Sequence, residues 1–295
     1  MNAQTGKNSD GFSREKEREG PLSIKTKVFY AFGEMPGAYM NLAIGSFLLI
    51  YYSVVLGASA AAISLVLGVA LFLDAICDPL VGAFSDQVKS RLGRRHPLMY
   101  AASIPMGVFI CLLFTPPQGL SATSLIVWLA FFLIMTRITF TFFSVPWSAL
   151  IAEFSDDYEQ RTVIASYRTL IGPLLGGISS TLILTFIFIG TPDIPKGQEN
   201  LENYNLFGPL IGSLMTGWAL LSTHFTRSEI PYLYQTRSTS SAGLAWMLSS
   251  ILLALKSRNY RILLVSMLVY FGVLGTLSQF DMFVNTYFWD LTAAQ

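Results

Sequence analysis

The chain has 295 residues, of which 53% are apolar and 13% are charged. Soluble domains carry about 45–50% apolar and about 25% charged residues, so this composition indicates a protein whose solvent is lipid. The 19 Lys and Arg residues nearly balance the 18 Asp and Glu residues, and no nucleic-acid partner is expected. Cys77 and Cys111 lie in apolar runs, and His96 and His224 stand singly in polar loops. This distribution predicts no disulfide framework, metal site or cofactor.

The first 24 residues are rich in charge and carry no apolar period. They predict a disordered leader, residues 1–24, rather than a cleavable signal peptide, which would contain a short apolar core. Seven apolar runs follow, and each approaches or exceeds the roughly 20 residues that a helix needs to cross a bilayer. The runs are 28–56, 61–85, 97–115, 122–150, 163–189, 206–223 and 259–289. Their length predicts an all-α transmembrane protein rather than a barrel, because backbone amides in lipid must be satisfied within their own segment.

Lys and Arg residues concentrate in every second connection. The basic connections are the leader, 86–96, 151–162 and 224–258. The others, 57–60, 116–121 and 190–205, hold only Lys196 between them. Basic loops remain in the cytoplasm, so the pattern predicts a cytoplasmic amino terminus in a plasma or bacterial inner membrane. Seven helices then place the carboxyl end outside, which is opposite to the orientation of a seven-helix receptor.

The long polar connection 224–258 divides the predicted helices unequally. It predicts a cytoplasmic interdomain linker between a six-helix bundle, residues 25–223, and the first helix of a second half, residues 259–295. The last residues enter a polar turn that leads toward another helix. We therefore expect a truncated chain.

The second apolar run contains carboxylates that do not belong in lipid. Asp74, Asp78, Gly82 and Asp86 are spaced four apart, so they share one helix face. A charge at membrane depth costs about 2.5–3.5 kcal/mol on insertion scales, which makes each inner carboxylate a candidate for function. A bound cation, a proton or an arginine on a neighbouring helix would offset this cost.

Two arginines lie at matching depths in other runs. Arg137 is about 20 Å and Asp74 about 17 Å from the cytoplasmic ends of their helices, so the two are expected to pair. Arg168, Asp78 and Glu34 lie about 8–10 Å deep and form a second predicted cluster. Two interpretations remain open, namely salt bridges that hold helices together and carboxylate oxygens that coordinate a cation.

Aromatic and amide side chains in the runs suggest a solute cavity. Trp147 and Asn41, with Tyr51, Tyr52 and Tyr167, suit a sugar, which stacks on aromatic rings and hydrogen-bonds to amides. Interfacial anchoring or packing is the alternative. The glycines of the 172–176 segment form a small-xxx-small pattern, which predicts close helix packing.

Two segments together resemble a known family. Residues 74–79 (Asp-Ala-Ile-Cys-Asp-Pro) and 91–97 (Arg-Leu-Gly-Arg-Arg-His-Pro) are similar to the Asp-Ala-x-x-Asp-Pro and Arg-x-Gly-[Arg/Lys]-x-x-Pro motifs of the glycoside-pentoside-hexuronide:cation symporters. These proteins belong to the major facilitator superfamily. Residues 145–150 and 153–168 also resemble the segment that joins helices four and five of that family.

The resemblance implies twelve helices in two six-helix halves and cation-coupled sugar transport by alternating access. It assigns Asp74 and Asp78 to the coupling cation, Na⁺ or H⁺, and Arg168 to the family's helix-five arginine. A further set of residues corresponds to the loop that stabilises one side of the transport cycle in relatives, namely Gly82, Asp86, Gly93, Arg94 and Arg95. A complete carrier would need the missing carboxyl-terminal half.

The chain departs from the family at two sugar-binding positions. Sugar carriers place aspartates in helices one and four, where this chain has Gly37-Ala38-Tyr39 and Phe143-Ser144-Val145. Glu34 and Arg137 are candidates to replace them. The other possibilities are a different solute such as a lysolipid, or a truncated half that does not transport. We do not expect an enzyme, because no pair of nucleophile and base occurs at helical spacing.

Overall fold

The structure is a computed structural model that describes residues 20–236 and 255–289, together with 12–14, 16 and 18. Seven helices in these residues are long and apolar enough to cross a membrane. They are α1 Ile24–Val55, α2 Ala60–Gln87, α3 His96–Leu113, α4 Ala122–Phe154, α5 Tyr158–Ile187, α6 Leu201–Thr226 and α7 Arg258–Phe283. The predicted transmembrane all-α fold is confirmed.

Polar side chains set where several helices begin. The Asp157 carboxylate accepts hydrogen bonds from the backbone amides of Glu159 and Gln160 at the start of α5. Asn200 accepts from the amide of Glu202 at the start of α6. A capping side chain satisfies amides that have no partner within the helix. Both helices therefore begin about five residues before the apolar runs that predicted them, because capped polar turns extend beyond the lipid-facing stretch.

Helix α1 is irregular along its length. It contains a 3₁₀ turn at Phe32–Glu34 and π-helical turns at Asn41–Phe47 and Tyr51–Val55. Hydropathy carries no signal for such turns, which occur frequently at functional sites. The 3₁₀ turn ends at Glu34 and the first π turn begins at Asn41, so both candidate site residues of α1 lie at changes of helix geometry.

The helices pack in a defined order. Helix α1 lies between α5 and α6, α3 packs against α4 and α6, and α2 packs on α4. The α3–α6 contact is a backbone contact, since a Cβ atom on Gly107 would lie 2.4 Å from the Gly212 carbonyl oxygen. Helix α7 contacts the first π turn of α1 and continues into a π turn at Val284–Phe288.

One end of the bundle collects the ends of several helices and carries the predicted cytoplasmic loops. We call it the basic end: residues 85–96, 153–158 and 226–236. The α6 helix continues there into a 3₁₀ turn, Arg227–Tyr232, and a strand, β2 Tyr234–Thr236.

Part of the leader docks on this end. A strand, β1 Phe12–Arg14, pairs antiparallel with β2, and Arg18 forms an ion pair with Glu229. The prediction of a disordered leader did not include these contacts, for which the start of the linker offers both backbone and carboxylate partners. Linker residues 237–254 lie outside the described residues, and the division into two halves stays a prediction.

Candidate functional site

Two adjoining cavities are lined by seven of the candidate residues, whereas Tyr51, Tyr52 and Tyr167 line neither of them. The larger, about 410 Å³, lies among α1, α2, α4 and α5 and is lined by Glu34, Asn41, Asp78, Trp147 and Arg168 together with apolar and small residues. The smaller, about 100 Å³, is lined by Asp74, Asp78, Arg137 and Thr141, among others. Asp78 borders both cavities. Seven residues chosen from the sequence thus converge on one region of the bundle.

The predicted pair between α2 and α4 is present. The Arg137 Nη1 atom donates a hydrogen bond to the Asp74 Oδ2 atom. Depth along the two helices predicted this contact. A charge-assisted bond of this kind gives the Asp74 carboxylate a partner of opposite charge inside the bundle.

Glu34 and Arg168 form the second inner pair. The Arg168 Nε atom donates to the Glu34 Oε2 atom at 2.5 Å, and the guanidinium lies 4.4 Å from the centroid of the Trp147 ring. This position allows a cation–π contact. The larger cavity therefore presents an acid, a base and an aromatic ring side by side.

Two glycines leave the room that this arrangement needs. A Cβ atom on Gly33 would lie 2.0 Å from the Trp147 Nε1 atom, and one on Gly172 would lie 2.6 Å from the Glu34 Cγ atom. The Trp147 Nε1 atom donates to the Tyr30 carbonyl oxygen at 3.0 Å. The 172–176 pattern predicted close packing, and Gly172 provides it against a site residue.

Asp78 differs from the other inner acids. It accepts a hydrogen bond from the Thr141 hydroxyl at 3.0 Å and makes no ion pair with the residues that the structure describes. The Arg168 guanidinium is engaged by Glu34 instead. Asp78 nevertheless lines the same cavity as that pair.

A second cluster closes the basic end. The Arg94 guanidinium donates to Asp86 at 3.1 Å and to Glu153 at 2.7 Å. Arg95 lies 2.6 Å from the same Asp86 oxygen and donates to the same Glu153 oxygen at 2.9 Å. Both arginines are 7% exposed and Glu153 is 3% exposed. Two buried arginines therefore share two acids, one on α2 and one on α4.

The two glycines predicted for this loop differ in their roles. Gly93 has a φ angle of +72°, which glycine adopts readily and other residues adopt at a cost. It shapes the turn that presents Arg94 and Arg95. A Cβ atom on Gly82 would meet Val145 at 3.7 Å, which is an ordinary contact, so the structure gives no steric reason for a glycine there.

Sequence reasoning missed three contacts. Glu153 was placed in a solvated connection, whereas it is the shared acid of both buried arginines. Thr141, the partner of Asp78, was not predicted because it is uncharged and the candidates were selected by charge. His96 was assigned to a polar loop, but it is the buried first residue of α3 and its Nε2 atom lies 3.2 Å from the Thr226 hydroxyl. His224 lies within α6.

Residues 29–295 match the family model described as "MFS/sugar transport protein". The chain belongs to this family. It is therefore an integral, multi-pass membrane protein of a transporter family within the major facilitator superfamily. The resemblance to the glycoside-pentoside-hexuronide:cation symporters, first seen in the 74–79 and 91–97 motifs, is confirmed.

Individual relatives include symporters with different named solutes. The chain is similar to the "Putative glycoside/cation symporter YagG" of Escherichia coli (strain K12), with 27% identity over 222 residues, which are 75% of this chain and 46% of YagG. It is 26% identical to the "Inner membrane symporter YicJ" of the same organism over 179 residues, 60% of this chain and 39% of YicJ. It is 32% identical to the "Sodium-dependent lysophosphatidylcholine symporter 1" of Xenopus tropicalis over 202 residues, 68% of this chain and 38% of that protein. The chain spans less than half the length of these relatives.

Proposed function

We propose that this chain forms the amino-terminal part of a cation-coupled symporter that carries a sugar or glycoside by alternating access. The observation that carries the proposal is the convergence of acidic, basic and aromatic side chains on two adjoining cavities inside the bundle. Ionisable groups at membrane depth are costly and mark substrate and ion pathways. The named solutes of relatives such as YagG agree with this choice.

The larger cavity is the proposed solute site. Its volume of about 410 Å³ lies within the range of about 300–1,000 Å³ that is typical of small-molecule sites. The Glu34–Arg168 pair and the Asn41 amide offer hydrogen-bond donors and acceptors to hydroxyl groups, and Trp147 offers a ring. In transporters of this kind the solute lies between two halves near the membrane midplane, so a second half would complete the cavity.

The acidic face of α2 is the proposed cation site. Asp78 supplies carboxylate oxygens to both cavities and Asp74 to the smaller one, where Na⁺ or H⁺ would neutralise the local charge. A cation that favours the solute-loaded state must itself be bound more tightly when the solute is present, because such coupling is reciprocal. Through this reciprocity, the gradient of the cation would drive transport of the solute.

The cluster at the basic end has a different proposed role. The four charged groups Asp86, Arg94, Arg95 and Glu153 link α2, the loop after it and α4. We assign to them the stabilisation of one side of the alternating-access cycle, with Gly82 and Gly93 in the same motif. The basic loops face the cytoplasm in this proposal, together with the amino terminus.

A lysolipid is the second candidate solute, and one observation favours it. The cavity places groups of opposite charge in contact, Glu34 and Arg168 at 2.5 Å, and such a pair suits a zwitterionic headgroup, whose phosphate and ammonium groups would bind Arg168 and Glu34. A similar relative is named a lysophosphatidylcholine symporter. A sugar would use the Glu34–Arg168 pair for hydrogen bonds to hydroxyl groups, whereas a lysolipid headgroup would use it for ionic contacts.

Uptake measurements test the proposal and separate the solutes. The complete reading frame that encodes this chain would be expressed in cells, and uptake of labelled glycosides and of lysophosphatidylcholine would be measured with an imposed Na⁺ or pH gradient. We expect glycoside uptake that depends on one of the gradients and is abolished by Asp78→Asn. Uptake of lysophosphatidylcholine alone would favour the second candidate. Uptake of either solute at the same rate without a gradient would contradict cation coupling.

A further inference from the structure

The smaller cavity holds two contacts that are stacked one above the other. Arg137 and Thr141 are four residues apart on α4, and Asp74 and Asp78 are four residues apart on α2. Residues four apart lie on the same helix face about one turn from each other. Arg137 contacts Asp74, and Thr141 donates to Asp78. The two acids therefore have partners of different charge, one cationic and one neutral.

The charged side chains that line the two cavities are three acids and two arginines, which leaves one net negative charge. Among their described lining residues, Glu34 is paired with Arg168, and Asp74 is paired with Arg137. Asp78 has a hydroxyl partner and no cationic one in the described part of the chain. An arginine stays protonated at all ordinary pH values. The charge on Arg137 is thus permanent, and Asp78 is the acid whose charge is not offset by an arginine.

We propose that Arg137 is a tethered cation that occupies Asp74, so that the coupling cation binds at Asp78 and not between the two aspartates. This inference rests on the proposed function and divides the roles of two residues that the family resemblance treats alike. Asp74 becomes a positioning residue, which holds Arg137 away from Asp78. Since Asp78 and Arg137 line the same small cavity, an Arg137 side chain without its partner would compete with the coupling cation for Asp78.

The inference predicts a pattern of substitutions that a shared two-aspartate site does not. Asp74→Asn should weaken cation binding about tenfold or more, because the released guanidinium shares the small cavity with Asp78 and can then pair with it. The double variant Asp74→Asn, Arg137→Gln should restore binding to within about threefold of the unsubstituted protein, because both members of the offsetting pair are gone. Arg137→Gln alone should tighten binding about tenfold, because it leaves two carboxylates without an arginine.

Direct binding measures these effects without relying on uptake. The complete protein would be purified in detergent and titrated with Na⁺ using ²²Na⁺. If a pH gradient drives its uptake, proton binding would be measured with a pH indicator in weakly buffered solution. Arg227→Gln is a matched control, because it removes an exposed arginine charge at the end of α6, and it should leave binding unchanged. Monodisperse elution and helical circular dichroism would check that each variant is folded.

The outcomes separate this inference from the proposed function. Restoration of binding in the double variant supports the tethered cation. A folded double variant that binds as weakly as Asp74→Asn overturns it and favours cation ligation by both aspartates, as does an Arg137→Gln variant whose affinity is unchanged. If Asp74→Asn alone does not fold, the double variant decides by comparison with the unsubstituted protein, since clearly weaker binding overturns the inference and binding within about threefold supports it. Normal cation binding by Asp78→Asn would instead overturn the cation site of the proposed function itself.

Discussion

Glu153 is the acid that both buried arginines of the basic end share, and Glu153→Gln tests how that end is held together. The substitution keeps a carbonyl oxygen close to Arg94 and Arg95 but removes the negative charge that they contact at 2.7 and 2.9 Å. All three side chains are at most 8% exposed, so water cannot replace the lost charge. Removing one partner of a buried ion pair costs about 3–5 kcal/mol.

Asp86 moderates the loss, since it also contacts both arginines and its side chain is 48% exposed. We therefore expect Glu153→Gln to lower the free energy of unfolding by about 3 kcal/mol, at the low end of that range. Asp86→Asn should cost about 1 kcal/mol or less, because solvent screens an exposed pair. Burial thus predicts a larger stability loss for Glu153→Gln than for Asp86→Asn, although Asp86 and not Glu153 was assigned to the family's loop from the sequence.

Unfolding of the purified protein in mixed micelles by increasing sodium dodecyl sulfate, followed by circular dichroism, measures both values. Glu202→Gln is a suitable control, because it neutralises an exposed acid in the first turn of α6 and should change stability little. An Asp86→Asn variant that loses as much stability as Glu153→Gln, or more, would refute the reasoning from burial.

Three further predictions concern packing, the leader and orientation. Gly172→Ala places a Cβ atom 2.6 Å from the Glu34 Cγ atom and should cost about 1–3 kcal/mol of unfolding free energy, whereas Gly177→Ala, which meets nothing within 4 Å, should be neutral; equal effects would argue against the close contact. Arg18→Ala removes the ion pair with Glu229 and should speed chymotrypsin cleavage in the leader, and an unchanged rate would contradict docking. An epitope at the amino terminus should bind antibody only after the membrane is permeabilised, and binding to intact cells would reverse the topology.

The fold was largely predictable because a helix that crosses a membrane requires a long apolar run, which the sequence shows directly. The sequence located all seven spans, but polar caps such as Asp157 and Asn200 moved helix starts outward. Pairing was predictable where depth alone decides it, as for Asp74 with Arg137. The partner of Asp78 within its predicted cluster could not be predicted, because the choice between an arginine and the Thr141 hydroxyl depends on helix rotation, which spacing along one helix does not give.

Burial at the basic end was the least predictable feature. Hydropathy assigns charged residues near helix ends to solvent, so Glu153 and His96 were expected to be hydrated. Both are buried because charges and hydroxyls from other segments meet them, Arg94 and Arg95 in one case and Thr226 in the other. Such clusters depend on contacts between segments far apart in the chain, and one sequence taken alone does not specify those contacts.

Cation movement driven by the solute tests the central claim most directly. Vesicles that contain the complete protein would be held without any ion gradient, and influx of ²²Na⁺ or of protons would be recorded when a transported glycoside is added outside. The account predicts cation influx that accompanies the solute and is absent in Asp78→Asn, because coupling between the two ligands is reciprocal. Solute entry with no accompanying movement of Na⁺ or H⁺ would contradict it.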